Sequence, residues 1–312
     1  MIFRFLPAPL RGVMSFALYM LNTFFWASLL LVVALLKFLV PLAPWRTACT
    51  RVLTVIAECW ISCNNANSRL VNNIHWDVDG TENLKRDGWY LVMSNHQSWA
   101  DILVLQKIFN RRIPFMKFFL KKELIWVPVL GLAWWALDFP FMKRYSEAFL
   151  KKHPHLKGRD LETTRRACEK FKTMPVTIMN FVEGTRFTPE KHRRQSSPYG
   201  HLLRPKAGGT AYVLQAMGER LHHILDVTIV YPDGSRSFWH FLTGRMKRIM
   251  VRVQIRPVDT RIIGDYFNDA EYRERFQAWL NELWAGKDLQ IEPLLRRAHV
   301  AARPGMLLSP QI

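Results

Sequence analysis

The chain is poor in acidic side chains: 25 Asp and Glu stand against 44 Lys and Arg, a formal charge of +19 over 312 residues. An excess of that size suits an anionic partner, either nucleic acid or a lipid surface. No nucleic-acid-binding motif is present, which disfavours the first, and 12 Trp with 20 Phe favour the second. Cysteine is scarce. Cys49, Cys59, Cys63 and Cys168 show neither zinc spacing nor a disulfide framework, and Cys59 and Cys63 read as packing residues on one helix face. No metal is expected. There is no Gly-x-Ser-x-Gly elbow, so a serine nucleophile on a strand-to-helix turn is excluded.

Charge is also missing locally. Val13 to Leu36 carries no formally charged side chain. As a helix it would run about 36 Å, enough to cross a hydrocarbon core about 30 Å thick. It is too long for a signal-peptide core and lacks a small-residue cleavage site, so it reads as an uncleaved anchor. Arg4 and Arg11 precede it, and Lys37, Arg46 and Arg51 follow. Basic flanks on both sides fit a helix that dips in and returns, with both ends cytoplasmic. Pro41 and Pro44 break it. Arg51 to Cys63, which contains Glu58, reads as an amphipathic helix at the interface.

Beyond these helices the pattern is one of strands and helices in alternation. Ile74 to Val78 opens it. Trp89 to Met93 is an apolar run of the kind that makes a buried strand, and it empties into Ser94-Asn95-His96-Gln97-Ser98-Trp99-Ala100-Asp101. Ser98 is a suitable N-cap for a helix reaching Ile108, with Asp101 in the capping-box position. Asp101 then points back toward His96. A carboxylate that orients an imidazole makes it a general base. Taken alone, His and Asp five apart is a weak signal, better read as a polar loop residue beside a helix cap.

A second apolar run, Val176 to Val182, leads to Glu183-Gly184-Thr185-Arg186. The two blocks in this order, N-H-x4-D and F-V-E-G-T-R, resemble the glycerophospholipid acyltransferase family, best known for 1-acyl-glycerol-3-phosphate acyltransferases, and within it a bacterial membrane-bound member. The resemblance covers roughly residues 75 to 235. It implies an α/β fold, a mixed sheet flanked by helices on an N-terminal membrane-embedded helical motif. The expected division is an anchor over 1–70, a catalytic domain over 71–262, and a C-terminal amphipathic helix with a disordered tail over 263–312.

The resemblance also implies roles. His96 takes the proton from an acceptor hydroxyl as it attacks an acyl thioester, and Asp101 orients His96. Phe139-Pro140-Phe141-Met142-Lys143-Arg144 resembles the family's second block, which makes Arg144 a phosphate ligand. Arg186 is a second phosphate ligand. Glu183 either binds a substrate hydroxyl or holds Arg186. Gly184 lets backbone approach the ligand, Thr185 lies between them, and Lys206 with Gly208 and Gly209 borders the site. Ile224 to Tyr231, ending at Pro232, matches the family's hydrophobic strand that ends in Pro.

The implied reaction moves a fatty acyl group from acyl-CoA or acyl carrier protein to a lysophospholipid, foremost 1-acyl-glycerol-3-phosphate, giving phosphatidic acid. Neither donor is a bound cofactor, and no cofactor is expected. The expected setting is the inner membrane, with anionic phospholipid as partner and the catalytic domain facing the cytoplasm. Acylation of another lysophospholipid such as lysophosphatidylglycerol, a lysophospholipid hydrolase, and a non-enzymatic basic binding protein are the competing readings.

Four further stretches complete the expectation. Arg112 to Phe118 reads as an edge strand because of Pro114. Trp126 to Phe141 is either domain core or a patch that dips into the interface. Phe187 to Leu203, with Lys191, Arg193 and Arg194, reads as a basic loop facing lipid or a carrier. Tyr145 to Thr173 reads as a charged helix, and Asp269 to Trp284 as an amphipathic one whose Phe276, Trp279, Leu280, Leu283 and Trp284 share a face.

Overall fold

A computed structural model describes residues 5–142, 174–234 and 236–301. Arg144 and the charged stretch Tyr145 to Thr173 lie outside these residues, as does the tail beyond 301.

Two long helices come first, α1 (Ala8–Leu39) and α2 (Ala43–Val71). Their cross-links pair early residues of one with late residues of the other. Tyr19 Oη donates to the Asn64 carbonyl at 3.3 Å, Asn22 Nδ2 to Asn64 Oδ1 at 2.8 Å, and Trp45 Nε1 to the Leu36 carbonyl at 3.0 Å. The two helices are therefore an antiparallel hairpin, and the chain returns to the side it left. α1 is long and apolar enough to cross a membrane. Leu21, Phe24, Phe25, Val32, Leu35 and Phe38 are exposed along it. α2 is much longer than the segment expected over Arg51 to Cys63. Its Glu58 faces protein rather than solvent: it is buried and accepts from Arg86 at 3.0 Å.

The sheet has six strands in the order β1-β8-β7-β2-β6-β3: β1 (His75–Asp79), β2 (Tyr90–Ser94), β3 (Met116–Phe118), β6 (Thr177–Phe181), β7 (His223–Val230) and β8 (Arg248–Pro257). β2 runs parallel to both β6 and β7, whereas β7 and β8 are antiparallel, so the sheet is mixed. β3 is an edge strand, as Pro114 led one to expect. A two-stranded ribbon pairs β4 (Leu120–Lys121) with β5 (Phe141–Met142).

Side chains alternate across this sheet and build a core on each face. Leu91, Met93, Ile178 and Ile224 point to one side. Tyr90, Val92, Met179 and Leu225 point to the other. The first face is covered by the later helices α6 (Ala207–Met217) and α8 (Ala270–Ala301), the second by α3 (Asp101–Phe109) and the short α7 (Phe238–Leu242).

α8 runs well past Trp284, where the apolar pattern was expected to stop, because Ile291, Leu294 and Ala298 continue its stripe into the same core. Phe276, Leu280, Leu283 and Trp284 are buried there, so the shared apolar face of this helix packs on the domain. Lys287, also buried, reaches from α8 to the Val227 carbonyl at 2.6 Å and to Asp226 at 2.5 Å. A third core joins the hairpin to α4 (Leu130–Ala136): Ala27, Leu30 and Leu53 pack with Ala133, Leu137 and Phe139. The stretch Trp126 to Phe141 therefore has two faces. One is this core, while Trp126 is 85% exposed and Trp135 and Leu132 are exposed with it.

Candidate active site

The strand register sets the site. Ser94 lies opposite Phe181 on β6 and Val227 on β7. Two residues on, His96 and Glu183 emerge level with each other at the carboxyl ends of β2 and β6, the edge where open parallel sheets place ligands. Asn95 fastens the His96 loop to β7: its side chain donates to the Ile229 carbonyl at 2.9 Å and accepts from the Ile229 N–H at 2.8 Å. The Ser94 carbonyl accepts from Val182 N–H at 3.2 Å, and the His96 carbonyl from Phe187 N–H at 2.7 Å.

His96 Nδ1 is 2.8 Å from Asp101 Oδ2. An ionised carboxylate only accepts, so Nδ1 carries the proton and Nε2 presents its lone pair. Asp101 is fully buried. Its Oδ2 also accepts from the backbone N–H groups of Gln97 (2.6 Å) and Ser98 (2.9 Å), and its Oδ1 accepts from Tyr231 Oη at 2.5 Å. This explains a difference from the expected helix start. Asp101 reaches back to the amides before the helix, Ser98 Oγ caps Ala100 N–H at 3.1 Å, and regular helix begins at Asp101 rather than Ser98. One face of the imidazole is covered by Phe181, stacked at 3.8 Å between centroids. His96 is 9% exposed, enough for contact with a substrate atom but not for free hydration.

Glu183 is fully buried, and neither of its carboxylate oxygens has a well-formed hydrogen bond. Burial pushes it up to about 8, opposed by the nearby amides of His96 and Leu203. It makes no ion pair with Arg186 among the described residues. Gly184 has φ +67°, a left-handed backbone that favours glycine, and a Cβ there would stand 3.2 Å from the Lys206 side chain. Lys206 precedes α6 and is exposed, with its N–H bonded to the Val182 carbonyl at 2.8 Å.

Thr185 Oγ1 accepts from Lys191 Nζ at 2.7 Å, and the Arg186 carbonyl accepts from the same ammonium at 3.1 Å. Lys191 belongs to a short helix, α5 (Pro189–Arg194), inside the stretch expected to be loop. It holds the Glu183–Arg186 turn. Arg186 itself lies over the Trp99 ring at 4.3 Å.

His96, Asp101, Glu183, Gly184, Thr185, Arg186 and Lys206 thus converge on one sheet edge. Tyr231 is the residue that sequence reasoning matched to a strand end without a role. The available signal was its place at the end of an apolar strand parallel to β2, which delivers it to the same edge. Burial and Asp101 keep its phenol far above the ordinary range, so it stays a neutral donor. Ser98 was read only as a helix cap, and Arg236 carried no signal at all.

The chain is similar to several known proteins. The 2-acyl-1-lysophosphatidylinositol acyltransferase of Saccharomyces cerevisiae is 22% identical over 244 residues, which cover 65% of this chain and 60% of that protein. The 1-acyl-sn-glycerol-3-phosphate acyltransferase 3 of Arabidopsis thaliana is 26% identical over 236 residues, 70% of this chain and 57% of that one. The chain spans between about half and three-fifths of the length of such relatives. The crystal structure of the 1-acyl-sn-glycerophosphate acyltransferase PlsC from Thermotoga maritima aligns with a TM-score of 0.46 at 19% identity, covering 89% of this chain and 98% of that one. The family model described as Acyltransferase matches residues 75–232, the stretch that runs from β1 through the His96 loop, the Glu183 turn and Tyr231 to the end of β7, and by that match the chain belongs to the acyltransferase family.

Proposed function

We propose that the chain is a membrane-seated O-acyltransferase that moves a fatty acyl group from an acyl thioester to the free hydroxyl of a lysophospholipid, with 1-acyl-glycerol-3-phosphate as the foremost acceptor and phosphatidic acid as product. The observation that carries this reading is the buried pair of His96 and Asp101 with Nε2 left open. Nε2 takes the acceptor's hydroxyl proton while that oxygen forms a bond to the thioester carbonyl. The tetrahedral intermediate collapses by breaking the C–S bond, and the imidazolium returns the proton to the leaving thiolate. Asp101, held by three further donors, orients the ring and balances its transient charge.

The Gln97 and Ser98 amides are bound to Asp101, so they do not serve a developing oxyanion. Cationic side chains at the sheet edge are left for negative charge: Arg186 and Lys206, with Arg144 from outside the described residues. Arg186, laid on Trp99, is suited to a phosphate by its planar fork. Glu183, level with His96 and protonated through much of the neutral range, suits a substrate hydroxyl better than an ion pair. Thr185 and Gly184 shape that turn.

The apolar face of α1 suits a bilayer, and the basic flanks of the hairpin suit its anionic, cytoplasmic face, the inner membrane in a bacterium. Acyl-CoA and acyl carrier protein are the donors to test. Full-length protein in vesicles, given each labelled donor and a panel of lysophospholipids, should yield diacyl phospholipid. His96→Ala should slow transfer by roughly 10²- to 10⁴-fold. Near-normal turnover in a folded His96→Ala protein would overturn the mechanism, and free fatty acid released without an acceptor would indicate a hydrolase instead.

A further inference from the structure

The loop after β7 is tied to the His96 loop by Ser98 Oγ, which donates to the Arg236 carbonyl at 2.6 Å. The Arg236 side chain is half-buried. Its guanidinium carbon lies 4.9 Å from the centroid of the Phe187 ring, and Phe187 is held at the site by its N–H bond to the His96 carbonyl. Burial lowers the pKa of Arg236, while the nearby carboxyl groups, Asp101 foremost and then Glu183, act against that, so the guanidinium sits near both acids. Neither accepts from it. Asp101 has its four donors already. Among the described residues, the Arg236 guanidinium has no hydrogen bond and no ion pair, and the same holds for Arg186.

Sheet order supplies the rest. β2 lies between β6 and β7 and is parallel to both. His96 therefore leaves the middle strand, Arg186 the strand on one side, and Arg236 the strand on the other. Each guanidinium lies on an aromatic ring, Trp99 or Phe187. Stacking of this kind fixes the plane of the fork while its edge N–H donors stay available to a tetrahedral anion.

We propose that Arg236 is a second anion-binding residue of this site, acting with Arg186 to hold a phosphate group of one of the two substrates from the β7 side of His96. The proposal rests on the reading of His96 as the base of an acyl transfer. Phosphate is present both on a lysophosphatidic acceptor and on the carrier portion of the donor, and kinetics separates the two. The donors are acyl-CoA and the phosphate-free S-acyl-N-acetylcysteamine. The acceptors are 1-acyl-glycerol-3-phosphate and phosphate-free monoacylglycerol. All are assayed with the full chain in mixed micelles.

Arg236→Gln should raise the KM of the phosphate-bearing member of one pair by about tenfold, the loss of roughly 1.4 kcal/mol of binding, and leave its phosphate-free counterpart within about twofold. A rise confined to the acceptor pair assigns the lipid phosphate, and one confined to the donor pair assigns the carrier's; either upholds the proposal. Equal loss of kcat with all four substrates overturns it, because Arg236 then meets the oxyanion or only shapes the loop. So does an unchanged KM throughout. Should Arg236→Gln melt early, Arg236→Lys carries the test: the charge stays, the fork is lost, and KM must still rise for phosphate substrates alone. His96→Ala separates the two levels. If it retains turnover, the reading of the site fails. If it is inactive while Arg236→Gln matches wild type, only the role of Arg236 fails.

Discussion

Tyr231→Phe removes one oxygen atom from the interior and should separate what holds the site together from what performs the chemistry. Tyr231 and Asp101 are both buried, and the phenol donates to Asp101 Oδ1 at 2.5 Å. Among the described residues no other donor faces that oxygen, whereas Oδ2 has three: His96, Gln97 and Ser98. The substitution thus strips Oδ1 of the Tyr231 bond and leaves a buried carboxylate oxygen unsatisfied. A hydrogen bond to a charged group contributes about 1.5–3 kcal/mol, and an orphaned buried acceptor costs a similar amount. At about 2–4 °C per kcal/mol for a domain of 150–250 residues, the melting temperature should fall by roughly 4–10 °C.

The rate should respond differently. His96 keeps its own bond to Asp101, and the carboxylate loses a competitor for its charge, so the imidazolium in the transition state is supported at least as well as before. Turnover per folded molecule should stay within about tenfold of wild type, whereas Asp101→Asn, which replaces the acceptor itself, should cost roughly 10⁴-fold, the loss seen when a triad carboxylate is replaced in this way. The assay is transfer rate at a temperature where both proteins are folded, beside thermal unfolding in the same detergent. A Tyr231→Phe protein as stable as wild type but as slow as Asp101→Asn would refute the argument, since the hydroxyl would then be acting on the reacting atoms.

Two further outcomes follow from the structure. Glu183 has an ordinary value of 4.5 and is held at about 8 in the fold, so folding takes up a proton between those values and wild-type stability should fall as pH rises through that window, then level off; Glu183→Gln should abolish this slope and gain on wild type above pH 8 by up to about 4–5 kcal/mol, and parallel melting curves at pH 5 and pH 9 would rule it out. Gly12→Leu should lower stability by about 1–3 kcal/mol, because a Cβ at Gly12 would stand 2.7 Å from Thr243 and 2.9 Å from Trp239; an unchanged melting temperature would mean that α1 and α7 do not pack so closely.

What was legible in the sequence was what is local. His96 and Asp101 lie on one turn, and the Glu183 turn ends one strand, so spacing and apolar runs carry them. Tyr231 is 130 positions from Asp101, and Arg236 joins the site only because β7 happens to lie beside β2. Strand order is written in no short window. The helix ends were misread for a related reason. Arg51 to Cys63, with Glu58, read as a short amphipathic helix at the interface, yet α2 runs on to Val71, and its Asn64 and Glu58 are satisfied by Asn22 and Arg86. The helix expected to end at Trp284 runs on to Ala301 through Gly286 and Pro293, because burial of Ile291 and Leu294 outweighs their propensity cost.

The same long-range contacts bear on how a lipid hydroxyl would meet His96. α1 is attached to the catalytic domain at both ends. Near its start, Arg11 Nε donates to the Thr243 carbonyl at 2.8 Å; near its end, Lys37 Nζ pairs with Asp138 at 2.7 Å. Between these points Ala27 and Leu30 are buried against α2 and α4, while the opposite side of α1 is apolar and uncovered. A helix joined at one end would act as a tether and leave the domain free to turn. A helix fixed at two points about forty ångströms apart along its axis, by the rise of 1.5 Å per residue, is part of the domain's surface. A bilayer that took up the uncovered face would then hold the sheet edge bearing His96, Arg186 and Arg236 at one depth and one angle, and a base with a single open nitrogen requires that orientation from a substrate confined to the leaflet.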